Sequence, residues 1–102
     1  MIARHWRGWT TPKDADAYEA LLRDSVLPSL KQIAGYHGAY VLRRELQGEV
    51  EFIVLNFFES IEDVKKFAGP QYAIAVFEPE ARKLLKRVEP LADHFDVCLQ
   101  TL

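Results

Sequence analysis

A chain of 102 residues with 49% apolar and 27% charged residues has enough apolar material for one core and too much for a disordered segment. Thirteen basic against fifteen acidic residues leave a formal charge of −2, which gives no electrostatic footprint for nucleic acid or an anionic membrane. The single cysteine excludes an internal disulfide and suits a reducing compartment, and the length sets the expectation of one domain over residues 1–102.

Residues 2–10 read as a strand that ends at Thr11-Pro12. Thr11-Pro12-Lys13-Asp14 is a helix start: threonine caps, proline suits the first helical position, and Asp14 sits in the first turn. Tyr18, Leu21, Leu22, Val26, Leu30 and Ile33 follow at helical spacing. Pro28 lacks an amide hydrogen, so a kink or an end is expected near Leu27, and Gly35 closes the element. Residues 36–46 and 50–59 read as two strands joined by Gln47-Gly48-Glu49. Ser60-Ile61-Glu62-Asp63 is a second capping pattern, continued by Val64, Phe67 and Ala68 up to Gly69-Pro70. The pattern predicts further helix over 71–77 and another from Pro79 to Glu89-Pro90. Residues 91–100 return to a strand, with Phe95, Val97 and Leu99 alternating against His94, Asp96 and Cys98.

This order is β-α-β-β-α-β, the ferredoxin-like α+β topology, with a four-stranded antiparallel sheet and both helices on one face. Such a sheet normally alternates apolar and polar residues, because its second face meets water. The strand at 50–58 does not. Phe52, Val54, Asn56 and Phe58 occupy one face, while Ile53, Leu55 and Phe57 occupy the other. Both faces want cover, and the helices reach only one. The expected cover for the second is another copy of the chain, in a two-fold homodimer.

Several chemistries find no support in the residues. His5, His37 and His94 fall on three different strands, with no H-E-x-x-H and no cysteine pair, so no metal is expected. His94 and Cys98 share a strand face roughly 13 Å apart, too far for one ion or for a nucleophile and its base. No G-x-S-x-G or G-x-G-x-x-G occurs. The third strand of an RNA-recognition domain carries a basic-glycine-aromatic motif, which is absent from residues 50–58. The N-terminus has charges where a signal peptide needs an apolar stretch, and the apolar run Ala73 to Phe77 is too short to span a bilayer. The expectation is a cytoplasmic protein that engages neither membrane nor nucleic acid.

What remains is a pocket. Arg4, His5 and Arg7 lie among Trp6 and Trp9, Asn56 among phenylalanines, and His94 and Asp96 beside Phe95. Buried groups of this kind are either hydrogen-bonded or placed at a cavity. One reading pairs Arg4 and His5 with acids such as Asp96 or Glu51 across strands. The other converges a few polar groups on a planar ligand in an aromatic cleft, with Phe67, Tyr72 and Phe77 on its helix side.

The segments Met1–Thr10, Gly35–Arg44 and Val50–Ser60 resemble the antibiotic-biosynthesis monooxygenase family of the dimeric α+β barrel superfamily. The resemblance runs in order along nearly the whole chain. It implies a ferredoxin-like protomer, an obligate dimer with facing sheets, and a cleft in each protomer. Known members oxygenate aromatic polyketides without metal or flavin, and others bind and degrade haem. The haem-degrading members use an asparagine on the first strand and a tryptophan and a histidine on the second helical region. Here the first strand has no asparagine, and the other two positions match Phe67 and Phe77.

The function expected on this basis is cofactor-independent oxidation of an aromatic or polycyclic phenol held as its anion. Trp6, Phe67, Tyr72 and Phe77 would line the cleft, Arg4 or Asn56 would hold the substrate oxygen, and His5 or His94 would be the base. Neighbours on a strand face opposite ways, so Arg4 and His5 cannot both face the cleft. The alternative is a non-catalytic dimer that binds a small molecule in the same place.

Overall fold

Strand β1 (Ile2–Thr10) is the organising element of the computed structural model, which describes residues 1–102. It runs antiparallel to β3 (Glu49–Phe58), in a register that sets Ile2 opposite Phe58 and Thr10 opposite Val50. β3 also pairs with β2 (Tyr36–Leu46) through a tight turn in which Gly48 holds a φ of 79°, a left-handed conformation that favours glycine.

Between β1 and β2 the chain is helical. The Thr11 hydroxyl accepts the Asp14 amide at 3.3 Å, and a 3-10 turn over Pro12–Asp14 leads into α1 (Ala15–Leu21). Of the kink or end expected near Leu27, the helix does not end but is interrupted. A π turn over Leu22–Val26, in which the Leu27 amide reaches back to the Leu22 carbonyl, joins it to α2 (Leu27–Leu30). The wider turn resets the ladder, so Pro28 falls in a first helical turn, where its missing donor costs little.

After β3, Ser60 caps α3 (Ile61–Ala68) by accepting the Asp63 amide at 3.3 Å. The helix expected over 71–77 is absent; the segment is irregular apart from an isolated bridge between Ile74 and Leu91. Its backbone groups are satisfied elsewhere. The Ala75 amide donates to the Pro90 carbonyl at 3.0 Å, the Ala73 carbonyl accepts from Ala92 at 2.7 Å, and Arg4 takes two further carbonyls. A short helix between Gly69-Pro70 and Pro79 would forfeit these partners.

Helix α4 (Pro79–Leu84) is shorter than the sequence implies, because residues Leu85–Val88 leave it as strand β4 and pair with β1. Leu85 is buried there, and the bonds to β1 cover an edge that would otherwise stand open. The final strand is also short: β5 (Asp93–Asp96) pairs with Ile2–His5, and beyond it the Val97 amide reaches the Met1 carbonyl at 2.9 Å. The expected fourth strand over 91–100 is thus reduced to β5, and β4 comes from residues expected to be helical, with Glu89 and Pro90 between the two. The sheet has five strands, ordered β2-β3-β1-β4 with β5 also beside β1, every pairing antiparallel. This remains the ferredoxin-like α+β arrangement, interrupted where proline supplies no donor.

One sheet face carries the core, in which Phe52 stacks edge-on against Tyr18 with ring centroids 4.9 Å apart. On the other face Ile53, Leu55 and Phe57 are only half-buried, Tyr40 and Leu42 are each 49% exposed, and Phe95 is 56% exposed. No helix of the chain is long and apolar enough to cross a membrane.

Candidate functional site

Alternation along β1 turns Arg4 and Trp6 toward the helices, and the β1–β3 register sets them beside Asn56 and Val54. Phe67 of α3 and Phe77 of the irregular segment close over them, and Tyr18 and Leu22 form the far wall. The cleft between them is partly open and holds about 100 Å³. The Trp6 indole N–H donates to the Glu89 carbonyl at 2.8 Å, and its ring meets Phe77 at 5.3 Å. The turned-down Trp6 ring lies against Gly8, where any side chain would collide with it.

Arg4 is the unusual member. It is 4% exposed, yet no carboxylate pairs with it. Its Nη1 donates to the Tyr72 carbonyl and lies 2.9 Å from His94 Nε2; its Nη2 donates to the Ile74 carbonyl at 3.3 Å. The guanidinium also sits 5.5 Å from the centre of the Phe67 ring. Burial lowers its pKa to about 10, so the charge persists at neutral pH. His94 is pushed down from the ordinary imidazole range, first by burial and then by the Arg4 charge. A neutral imidazole accepting from Arg4 satisfies both groups.

The Asn56 Oδ1 accepts from the Tyr36 hydroxyl at 2.8 Å, which leaves its amide hydrogens as donors beside Arg4. Burial raises the Tyr36 pKa to about 12, so the phenol keeps its proton. The free polar groups on this wall, apart from the Glu78 carboxylate at its edge, are donors.

Five of the residues singled out in the sequence meet here: Arg4, Trp6, Asn56, Phe67 and Phe77. His5 does not. It projects from the open sheet face, with Phe95 at 6.5 Å. His94 lies behind Arg4, on the outer side of residues 70–74. The Tyr72 ring packs against His94 at 5.0 Å, and this residue serves the site through its carbonyl. The expected cross-strand pairing of Arg4 or His5 with Asp96 or Glu51 is not formed. Glu51 is taken by Arg44 at 2.6 Å, with Arg7 at 3.9 Å, because it lies on the open face, away from Arg4. No group of three or more His, Cys, Asp or Glu side chains is placed to hold a metal ion, and Cys98 is exposed.

Sequence reasoning missed Tyr18, Tyr36 and Glu78. Tyr18 shares the helical spacing of a core residue and gives no other sign. Tyr36 reaches Asn56 because a bulge at His37 shifts the register, setting Tyr36 opposite Phe58 while Gly38 faces Phe57. Glu78 lies between the two helices expected over 71–77 and from Pro79, and nothing in the sequence singles it out.

Comparison with known proteins places the molecule. Solved structures with the same fold include a Bacillus cereus protein proposed to be an antibiotic biosynthesis monooxygenase (13% identity over 99% of this chain and 96% of that one, TM-score 0.66). A Deinococcus radiodurans protein with the same proposed assignment shares 10% identity over 100% and 97% of the two chains, TM-score 0.66. The haem-degrader MhuD of Mycobacterium tuberculosis, solved with two haems in its active site, shares 17% identity over 99% of each chain, TM-score 0.63. No curated protein matches the sequence. Residues 1–79 match the antibiotic biosynthesis monooxygenase family, and the chain belongs to that family.

Proposed function

We propose that the cleft binds a planar phenol as its anion and that the protein is a monooxygenase needing no bound cofactor, acting as a homodimer. The observation that carries this reading is Arg4: a buried, charged guanidinium without a carboxylate partner, beside the Asn56 amide, at the edge of an aromatic-walled space. Fixed donors stabilise a phenolate most where water is excluded. In such a reaction the anion gives an electron to dioxygen and the radicals combine. Where oxidation falls on a ring methylene, one oxygen atom becomes the carbonyl and the other leaves as water. Every electron then comes from the substrate. Neither His5 nor His94 lines the space, so the carboxylate positioned to take a proton there is Glu78.

The homodimer rests on the open face, where Tyr40, Leu42, Ile53, Leu55, Phe57 and Phe95 form an apolar surface that a second copy would cover. The lining does not fit haem ligation, since no histidine or cysteine faces the cleft.

Oxygen uptake during incubation with hydroxylated one-ring and polycyclic phenols, in air and under argon, tests the reaction. Uptake that depends on both the phenol and intact Arg4 supports it. Saturable binding without turnover replaces it with a binding role, which the lack of an imidazole in the cleft would then explain.

A further inference from the structure

Resting on the reading of the cleft as a ligand site, we infer that its ligand is a single aromatic ring bearing a carboxylate, which the free edge of Arg4 holds by two parallel hydrogen bonds. Three observations point there. The first is the donor count. A guanidinium has five N–H donors. Two on Nη1 face the Tyr72 carbonyl and His94, and one on Nη2 faces the Ile74 carbonyl. The Nε–H and the second Nη2–H have no partner in the protein. Elsewhere in the chain the Nε and Nη2 pair grips carboxylates: Arg23 holds Asp24 this way, and Arg87 holds Glu49. At Arg4 the same edge has no partner in the protein, on a side chain that is 4% exposed.

The second observation is charge. The buried cation is balanced by no acid, and the group it does touch, His94, is held in its neutral form by the same burial and charge. Buried charges are costly unless paired, and a bidentate carboxylate is the partner that matches a planar fork. The Asn56 amide adds a donor on the same side, next to Arg4 in the β1–β3 register. A neutral phenol would satisfy one of these donors and leave the charge uncompensated. Glu78 lines the same space but forms no bond to Arg4.

The third is size. The cleft is partly open and holds about 100 Å³, less than the roughly 150 Å³ of a closed cavity that takes benzene, so it admits no more than one ring, with its substituent at the opening. Trp6, Phe67 and Phe77 offer flat walls to one ring. The ligand class is therefore a benzoate or a hydroxybenzoate rather than a large neutral polyphenol.

The test titrates benzoate, benzamide and phenol into the protein, following the Arg4 Nε–H signal and the backbone amides in proton–nitrogen correlation spectra. Benzoate should bind about tenfold or more tighter than benzamide, the gain expected of hydrogen bonds to a charged group, and should move the Arg4 Nε–H signal. In Arg4→Gln the preference should vanish. Arg4→Lys keeps the charge but loses the fork, and should retain part of the preference, which separates recognition from a folding defect. Equal binding of benzamide or phenol overturns the carboxylate inference and leaves the ring-binding cleft standing. If none of the three probes perturbs the Trp6, Asn56 or Phe77 signals, the inference and the ligand-site reading fall together.

Discussion

The two faces of the sheet are built from the same strands and are nearly equally apolar, yet they end in different states. On the helix side Phe52 and Phe58 are fully buried, and three polar residues, Arg4, Thr10 and Asn56, are sealed in with them. On the other side Ile53, Leu55 and Phe57 remain half-exposed, and the polar residues are exposed or tied into ion pairs such as Arg44 with Glu51. Burial of an aromatic side chain contributes stability wherever it occurs. The Arg4 guanidinium ties residues 72–74 to β1 by hydrogen bonds, but no acid neutralises its charge. The helix face thus holds an unbalanced charge, and the open face holds apolar area that a monomer leaves unused.

The largest effect expected separates the two faces directly. Phe52→Ala should cost about 3–5 kcal/mol in denaturant unfolding, since it empties a fully buried site against Tyr18. Leu42→Ala on the open face should cost no more than about 0.5 kcal/mol in a monomer. A cost at Leu42 that rises with protein concentration would show that a second copy covers it.

Next in size is Leu55→Glu, which places a charge at the centre of the open face. Light scattering at micromolar concentration should give twice 11.7 kDa for the wild-type chain and 11.7 kDa for the variant. A wild-type mass of 11.7 kDa would remove the dimer and leave the cleft untouched.

Gly8→Ala tests the coupling of the core to the site. The added methyl meets the Trp6 ring, so a loss of about 1–3 kcal/mol in thermal unfolding should accompany a shift in tryptophan emission. A stable variant with unchanged emission would mean that Trp6 is not held as described.

The smallest effect is the pH dependence from His94. Its pKa is lowered on folding, by burial first and then by Arg4, so the unfolded chain binds the proton more readily. Stability should be full above the ordinary imidazole value of about 6.5 and fall as pH drops below it. His94→Gln should flatten that slope in melts collected across mild acid. An unchanged slope in that variant would mean that another group carries the linkage.

The strands, the caps at Thr11 and Ser60, and the glycine turn at Gly48 were legible in the sequence because each depends on neighbours within a few residues. So was the double-sided apolar character of residues 50–58, and with it the family resemblance. Two local readings failed for one shared reason. Residues 71–77 did not coil, and Leu85–Val88 left their helix. In each case hydrogen bonds set the outcome: the carbonyls taken by Arg4 and Ala92 with the Ala75 amide taken by Pro90, and the free edge of β1.

The site divides along the same line. Alternation showed that Arg4 and His5 must face opposite ways, but it held no information about which way the helices pack. Only tertiary structure placed Arg4 inward and His5 outward, brought Tyr36 to Asn56 through a bulge, and set His94 behind the guanidinium. By itself the sequence determined the ferredoxin-like order, because periodicity and capping are local, and it held five of the residues that meet in the cleft, while the resemblance of three segments supplied the family. Tertiary structure decided which of them meet, because that depends on the packing face and register of elements up to ninety residues apart, as Arg4 and His94 are.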